Sequence, residues 1–344
     1  MDDALAVRVV ERLGHLLEHV QRRAPHAVRI GFSGYGDAAH ALETANVAHQ
    51  FFPKPLSLPK LRACIERIEA VQTLLDNDDL RRQIAAVEAL PTLPTLYIEI
   101  MEEAASQYGS LDRVGRIIER DVAMTAKILN IVNAPFFGLP AQATSAEQAA
   151  SLLGFDGLRT MVLSVGVFTA YEAKGAADDL AELMQHSVRI SRLTGSLARQ
   201  FGLSEQDIST CELAGMLHDI GKLVVHHDIP HAARTLRTMT STGIVSNLQA
   251  ERDLLGCTHM EIGAYLLSLW GFDYAVVEAV GFHHEPASRL AEDTGPLALV
   301  HLADALDRAR VRGLAPAETV DPAVLARLGI QPGEAAAALA AFSS

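Results

Sequence analysis

Nine of the fourteen histidines lie between His186 and His301, and none lies between residues 50 and 185. The densest chemistry is in Leu213 to Val225, LAGMLHDIGKLVV, an apolar helical pattern interrupted by His218-Asp219. An adjacent imidazole and carboxylate are costly to bury without partners. Together they are a common donor pair for first-row transition metals. Lys222 follows Asp219 by three residues, on the same helical face. It can pair with Asp219 or with an anionic ligand such as a phosphate. Further fragments carry titratable groups in apolar surroundings: QHSVRIS with His186, CTHMEIGAYLL with His259, VGFHHEP with His283 and His284, and VHLADALD with Asp304. A fully satisfied buried polar network that sets helix register is the alternative use of such residues. His226, His227, His231 and His301 are expected to be hydrogen-bonded core histidines. Asn133 is expected to bridge or cap helices.

These residues need a helical frame. Apolar periodicity predicts helices over 111–119, 121–132, 146–153, 158–173, 178–201, 204–225, 243–254, 259–270, 274–282 and 297–309. Gly154 should stop the helix from Ala146, and Ser145 with Gln148 has the capping-box spacing. Short helices should enter at Pro322 and near Pro332. Pro91 and Pro94 interrupt the pattern after Leu90. Before residue 56 the pattern differs. Val28 to Ser33 and Val47 to Phe52 read as strands, with helical stretches at 13–23 and 37–44, which suggests a parallel α/β layer. The expected organisation is an α/β segment over 1–65, a linker helix over 66–83, an all-α domain over 84–310 and short helices over 311–344.

Composition narrows the function classes. Of the 344 residues 49% are hydrophobic and 21% charged, which fits a compact globular chain. The 29 basic against 42 acidic residues give a net charge of −13, which disfavours a phosphate-neutralising, DNA-coating surface. One Trp and 5% aromatics also argue against base stacking, so no nucleic-acid partner is expected. Cys64, Cys211 and Cys257 are odd in number and scattered, as in a reducing cytosol. The start Met1-Asp2-Asp3 is acidic where a signal peptide would be basic. The apolar run Met161 to Tyr171 is too short to span a bilayer. A cytoplasmic protein with no membrane partner is the expectation.

The order His…His-Asp…His…His-His…Asp resembles the HD superfamily of metal-dependent phosphohydrolases. That resemblance implies metal ligation by His186, His218, Asp219, His259, His283, His284 and Asp304, with iron, manganese or zinc as cofactor and Lys222 contacting phosphate. The four residues His186, His218, Asp219 and Asp304 should share one pocket, with His259, His283 and His284 on its rim. The HD-GYP branch has a Gly-Tyr-Pro loop after its His-His-Glu. Here PASRLAEDTGPLA follows Glu285, so cyclic di-GMP hydrolysis is not expected.

The amino-terminal half of the helical region is similar to the HDOD family, the HD-related output domain. Leu90-Pro91 and Leu93-Pro94 resemble its opening motif, IERDVAMTAKILNIVNAPFF its helix ending in Leu-x-x-Val-Asn, and AEQAASLLGFDGLR its next helix and Leu-Gly turn. This resemblance implies a bacterial regulatory protein acting through signalling partners or a homo-oligomer, without catalysis because helices close the metal site. A metal-dependent phosphohydrolase or phosphodiesterase is the alternative.

The front segment PHAVRIGFSGYGDAAHALETANVAHQFFPKPLSLPKLRACI resembles the second half of a two-component receiver domain. Ser33 would stand at the phosphoryl-sensing hydroxyl and Lys54 at the pairing lysine. Ala6 falls where the phosphoacceptor aspartate belongs, and a methyl group cannot take phosphate. The chain should therefore acquire no acid-labile phosphoryl group when incubated with acetyl phosphate, as read by intact-mass analysis. A stable adduct would overturn the Ala6 register.

Overall fold

The computed structural model describes residues 16–331, except 34–47, 54–56, 93–98, 134–141, 164–167, 171–176, 241–245, 290–294 and single or paired positions before residue 110 and at 316–317. At the front, β1 (Ile30–Ser33) pairs in parallel with β2 (Gln50–Pro53), with Ile30 opposite Gln50. The expected parallel strands are present. Ser33 closes β1 opposite Pro53, while Ala6 and Lys54 lie outside the described residues. Two paired parallel strands are what any α/β unit supplies, so the fold carries the α/β layer and not the receiver resemblance.

This front piece is tied to the helical region by buried polar contacts. The His49 ring accepts from the Arg29 amide at Nδ1 (2.9 Å) and so donates from Nε2 to the Ala85 carbonyl (3.0 Å). Burial, helped by the Arg29 charge, pushes its pKa down to about 4, so the ring is neutral. The Gln50 amide donates to the Ser268 carbonyl at 2.9 Å, and the Cys64 thiol donates to Gln50 Oε1. Helix α1 (Leu58–Gln72) and helix α2 (Asp78–Ala85) follow, the second begun by Asn77, whose Oδ1 accepts from the Leu80 amide. The stretch 66–83, expected as a linker helix, thus spans parts of two helices. Its Ile68, Leu75 and Leu80 are buried in the same core as Leu217 and Tyr265.

Strand β3 (Leu90–Thr92) pairs in parallel with β4 (Phe168–Ala170). Periodicity places 168–170 in a helix, and the structure corrects this. Each strand of a two-stranded pair is an edge, which tolerates Pro91, and Phe and Thr favour extended backbone. Between them run α3 (Leu111–Ile118), α4 (Val122–Val132) and α5 (Ala146–Leu163). Gly154 interrupts α5 with φ 65°, a value that favours glycine, so the expected stop is a kink. Asn133 bridges to Ala143 through both its amide atoms.

The second half holds α6 (Ala177–Gln200), α7 (Glu205–Leu217), α8 (Ile220–Asp228), α9 (Pro230–Thr240), α10 (Asn247–Leu255), α11 (His259–Leu269), α12 (Tyr274–Phe282), α13 (Pro296–Arg312) and α14 (Pro322–Arg327). One continuous helix over 204–225 is expected from periodicity, yet the chain breaks between α7 and α8 at His218-Asp219. Asp219 takes φ −102°, ψ 12°, outside the helical range. Desolvating two polar side chains along an unbroken apolar helix is costlier than a turn that aims both at partners. Among the described residues no helix is long and apolar enough to cross a membrane.

Two apolar cores meet at this break. The larger contains Leu217, Ile220, Leu223, Tyr265 and Val280. The smaller contains Ile190, Cys211, Leu302, Leu306, Val324 and Leu325, so the tail helix α14 belongs to it. Helices α8 and α11 cross closely at Gly221. A Cβ there would collide with the His259 carbonyl oxygen and come within 2.9 Å of the Gly263 amide nitrogen. Gly221→Ala is accordingly expected to lower stability by about 1–3 kcal/mol, the usual range for overpacking. Urea unfolding checks this, and an unchanged midpoint would mean that the crossing is not tight.

Candidate metal centre

All seven candidate ligands converge. Asp219 stands at the centre, and its two carboxylate oxygens face different neighbours. Oδ2 lies 3.4 Å from His218 Nε2 and 3.7 Å from His186 Nε2. Oδ1 lies 3.2 Å from His259 Nε2 and 3.8 Å from His283 Nε2. Asp304 brackets the group from α13, 3.4 Å from His186 Nε2 and 3.5 Å from His284 Nδ1. The donors form two sets, Asp219 with His259, His283 and His284, and His186 with His218 and Asp304, each within 4.8 Å internally. His259 and His283, expected on the rim, are as deeply buried as Asp219; His186 is the candidate ligand nearest solvent, its side chain 19% exposed.

Local structure aims these rings. His218 and His283 each end a helix, and each donates Nδ1–H to a carbonyl one turn back, Gly215 and Val280. A carbonyl only accepts, so Nδ1 holds the hydrogen and Nε2 turns its lone pair inward. His259 starts α11, and its Nδ1 and backbone amide both donate to the buried Glu251 carboxylate at 2.8 Å. His186 Nδ1 donates to Asp307 at 3.2 Å, and Arg189 and Arg310 hold that carboxylate. Such outer partners fix ring orientation and tautomer in metal sites.

The protonation pattern is divided: His283, His284 and both carboxylates have the form that ligates a metal, whereas against burial the neighbouring carboxylates raise His186 and His259, which would each release a proton on ligation. Burial holds His283 and His284 well below the usual histidine range, so both are neutral. Burial alone would raise Asp219 and Asp304. Nearby His218 and Lys222 outweigh it for Asp219, and His186 and Arg308 do so for Asp304, so both are ionised. His186 is opposed by burial, yet Asp304 and Asp307 raise it to about 9. Asp219 Oδ1, His259 Nε2, His283 Nε2, His284 Nδ1 and Asp304 Oδ2 are buried without a hydrogen-bond partner. Three ring nitrogens and two carboxylate oxygens without a hydrogen bond are what a divalent cation would satisfy, and an imidazole–carboxylate set suits iron, manganese or zinc.

A cleft of about 330 Å³ opens beside this cluster, lined by His186, Asp219 and Lys222 at one end and by Arg237 and Asn247 among the other residues. The donors are buried as expected, apart from His186 and His284, which are partly so, and among the described residues the cleft reaches His186 and Asp219. Of the histidines expected in the core, His301 is there, accepting from the Asp321 amide and donating to the His283 carbonyl. His226 lines the cleft, His227 is half-buried beside Asp228, and His231 is exposed. Periodicity overestimates their burial because α8 and α9 lie at the cleft edge. Sequence reasoning missed Glu251, Asp307 and Arg308. Asp307 could be found as the acid one turn after Asp304 on the same face; Glu251, eight residues before His259 in a polar helix, had no such signal.

Comparison with known proteins agrees with this architecture. The HDOD domain matches residues 90–286, more than half of the chain, and the chain belongs to that family. Ribonuclease Y of Deinococcus radiodurans is 30% identical over 128 residues, and that of Dehalococcoides mccartyi 27% over 144. These stretches cover 37% and 42% of this chain but only 17% and 21% of the relatives, so the chain spans about a fifth of their length. Among solved structures, the MmoQ response regulator from Methylococcus capsulatus aligns with a TM-score of 0.56 at 23% identity, over 73% of this chain and 98% of that one. A virulence factor from Campylobacter jejuni aligns at 0.53 and 17%, over 74% and 98%. At these identities the likeness is one of fold.

Glu251 orients a ring that has no other Nδ1 acceptor. Glu251→Gln is expected to weaken metal binding about 10–100-fold, the range for losing such a partner. Competition with a chromophoric chelator measures it, and unchanged affinity would show that His259 is not a ligand.

Proposed function

We propose that this chain is a regulatory HDOD protein whose helical domain is a metal-dependent phosphoester hydrolase. One observation carries the reading: four imidazoles, each with Nδ1 pinned by an acceptor, turn Nε2 toward two ionised carboxylates beside an open cleft. A purely structural polar network would satisfy its own atoms, whereas this one leaves five buried atoms at ion-pair distance without a hydrogen bond. His186, His218, Asp219, His259, His283, His284 and Asp304 would hold up to two divalent ions. Such ions, when bound, supply an activated water and Lewis-acid stabilisation of phosphoryl charge.

The chain's own groups have the complementary tasks. Lys222 presents an ammonium to phosphoryl oxygens from the cleft wall. Leu183, Val225 and Leu236 offer an apolar wall to the organic part of an ester, and Arg237 and Asn247 offer polar contacts beyond it. The cleft is at the small end of the usual range for ligand pockets, roughly 300–1,000 Å³. That size, with no Gly-Tyr-Pro after Glu285, speaks against cyclic dinucleotides. The relatives called ribonuclease Y support a phosphoester class, while the net charge of −13 argues against an extended nucleic-acid surface.

Signalling through protein contacts is the second reading, favoured by the front piece. Its Gln50 grips the carboxyl end of α11, the helix whose amino end carries His259. That link would let an input at the strands reach the cluster. The three free, buried cysteines fit action in the cytoplasm.

Protein purified without chelator is expected to carry iron, manganese or zinc by elemental analysis. It should hydrolyse p-nitrophenyl phosphate or its bis ester when supplied with one of these ions, with activity falling to background in Asp219→Asn while the circular dichroism spectrum is kept. Metal-free protein that stays inactive with every ion would return the signalling reading to first place.

A further inference from the structure

The two halves of the cluster differ in how their atoms are satisfied. Around Asp219 Oδ1, the facing atoms His259 Nε2, His283 Nε2 and His284 Nδ1 are buried, and neither they nor Oδ1 has a hydrogen-bond partner. Among the described residues no side chain donates to or accepts from these atoms. A cation entering here meets no lysine; the nearest pair it would separate is His259 Nε2 and Asp219 Oδ1, 3.2 Å apart.

The half around Asp219 Oδ2 is different. Lys222 Nζ donates to Oδ2 at 2.6 Å, and His218 Nε2 is hydrogen-bonded to His186 Nε2 at 3.2 Å. A cation entering here must take Oδ2 from a charge-assisted hydrogen bond, about twice as strong as a neutral one. Lys222 is anchored in the first turn of α8, but its side chain lines the cleft with 29% of its surface exposed. An anion in the cleft therefore offers the ammonium another partner without moving the backbone.

We propose that the two halves load in order: the Oδ1 half takes a metal ion unaided, and the Oδ2 half takes its ion together with a phosphate that draws Lys222 away from Asp219. Lys222 thus acts as a resident counter-ion that a phosphoryl group exchanges for metal. The coupling is reciprocal: the second ion tightens phosphate binding by the same factor that phosphate tightens the second ion. This ordering rests on the metal reading above and adds to it a dependence that a plain two-ion site lacks. It would keep the outer ion, and with it any water activation, conditional on a phosphate ligand in the cleft.

The test is a manganese titration of the full chain, read by loss of the free-ion paramagnetic resonance signal, in dilute inorganic phosphate and in chloride at matched ionic strength. The wild-type chain should bind one ion with the same affinity in both buffers, and a second about 10-fold or more tighter in phosphate. Lys222→Met should bind the second ion in chloride, with the phosphate effect gone. Lys222→Arg keeps a cation at Oδ2 and should keep the phosphate dependence, which separates the charge from any effect on folding. Two ions of phosphate-independent affinity in the wild-type chain, or a phosphate effect that survives in Lys222→Met, would overturn the ordering and leave the metal reading standing. Failure to bind any ion would overturn both.

Discussion

Everything in the second half of this chain is arranged around the burial of the Asp219 carboxylate. A single ionised carboxylate cannot be taken from water without compensation worth several kcal/mol. Here four imidazoles and one ammonium gather about it, from α6, α7, α8, α11 and α12. Each of these helices is placed so that its contribution reaches one oxygen or the other. The break between α7 and α8, the close crossing at Gly221 and the helix-ending positions of His218 and His283 all follow from that requirement.

The meeting of two cores gives the carboxylate its place. Helix α7 sends Leu213 and Leu217 into the larger core and Ile208 and Cys211 into the smaller, so its carboxyl end stands at their junction. Helix α13 does the same with Val300 and Leu302, and brings Asp304 to the same point. A polar cluster at such a junction is dry enough for strong electrostatics yet lies one layer from the surface. Among the described residues the cleft between α6, α8, α9 and α10 reaches it from outside.

Most helices and the convergence of the seven candidate ligands were legible in the sequence because both depend on local pattern. Apolar periodicity places α3, α4, α6, α12 and α13 within a few residues. Histidines in otherwise apolar fragments mark themselves. What was not legible depends on tertiary context. The break at His218-Asp219 is invisible to periodicity, since the apolar spacing continues through it. The strand at 168–170 needs its partner at 90–92 to exist at all. The roles of Glu251 and Asp307 are set by which ring nitrogen each meets across the fold. Whether α9 and α10 seal a cavity or border a cleft is likewise decided by how they lean, not by their composition.

The same physics explains why the site is asymmetric rather than merely crowded. Asp219 cannot offer both oxygens equally, because Lys222 shares its helix-proximal surface and reaches only one of them, Oδ2. The other oxygen faces rings whose Nδ1 positions are already committed to Glu251 and Val280, so their Nε2 atoms can turn nowhere else. One half of the cluster is therefore bordered by rings whose Nδ1 atoms are committed elsewhere, and the other is held by the Lys222 ammonium at the cleft. A difference in satisfaction between two oxygens of one carboxylate is enough to give a single buried group two chemical roles, one fixed by the fold and one answerable to what enters the cleft.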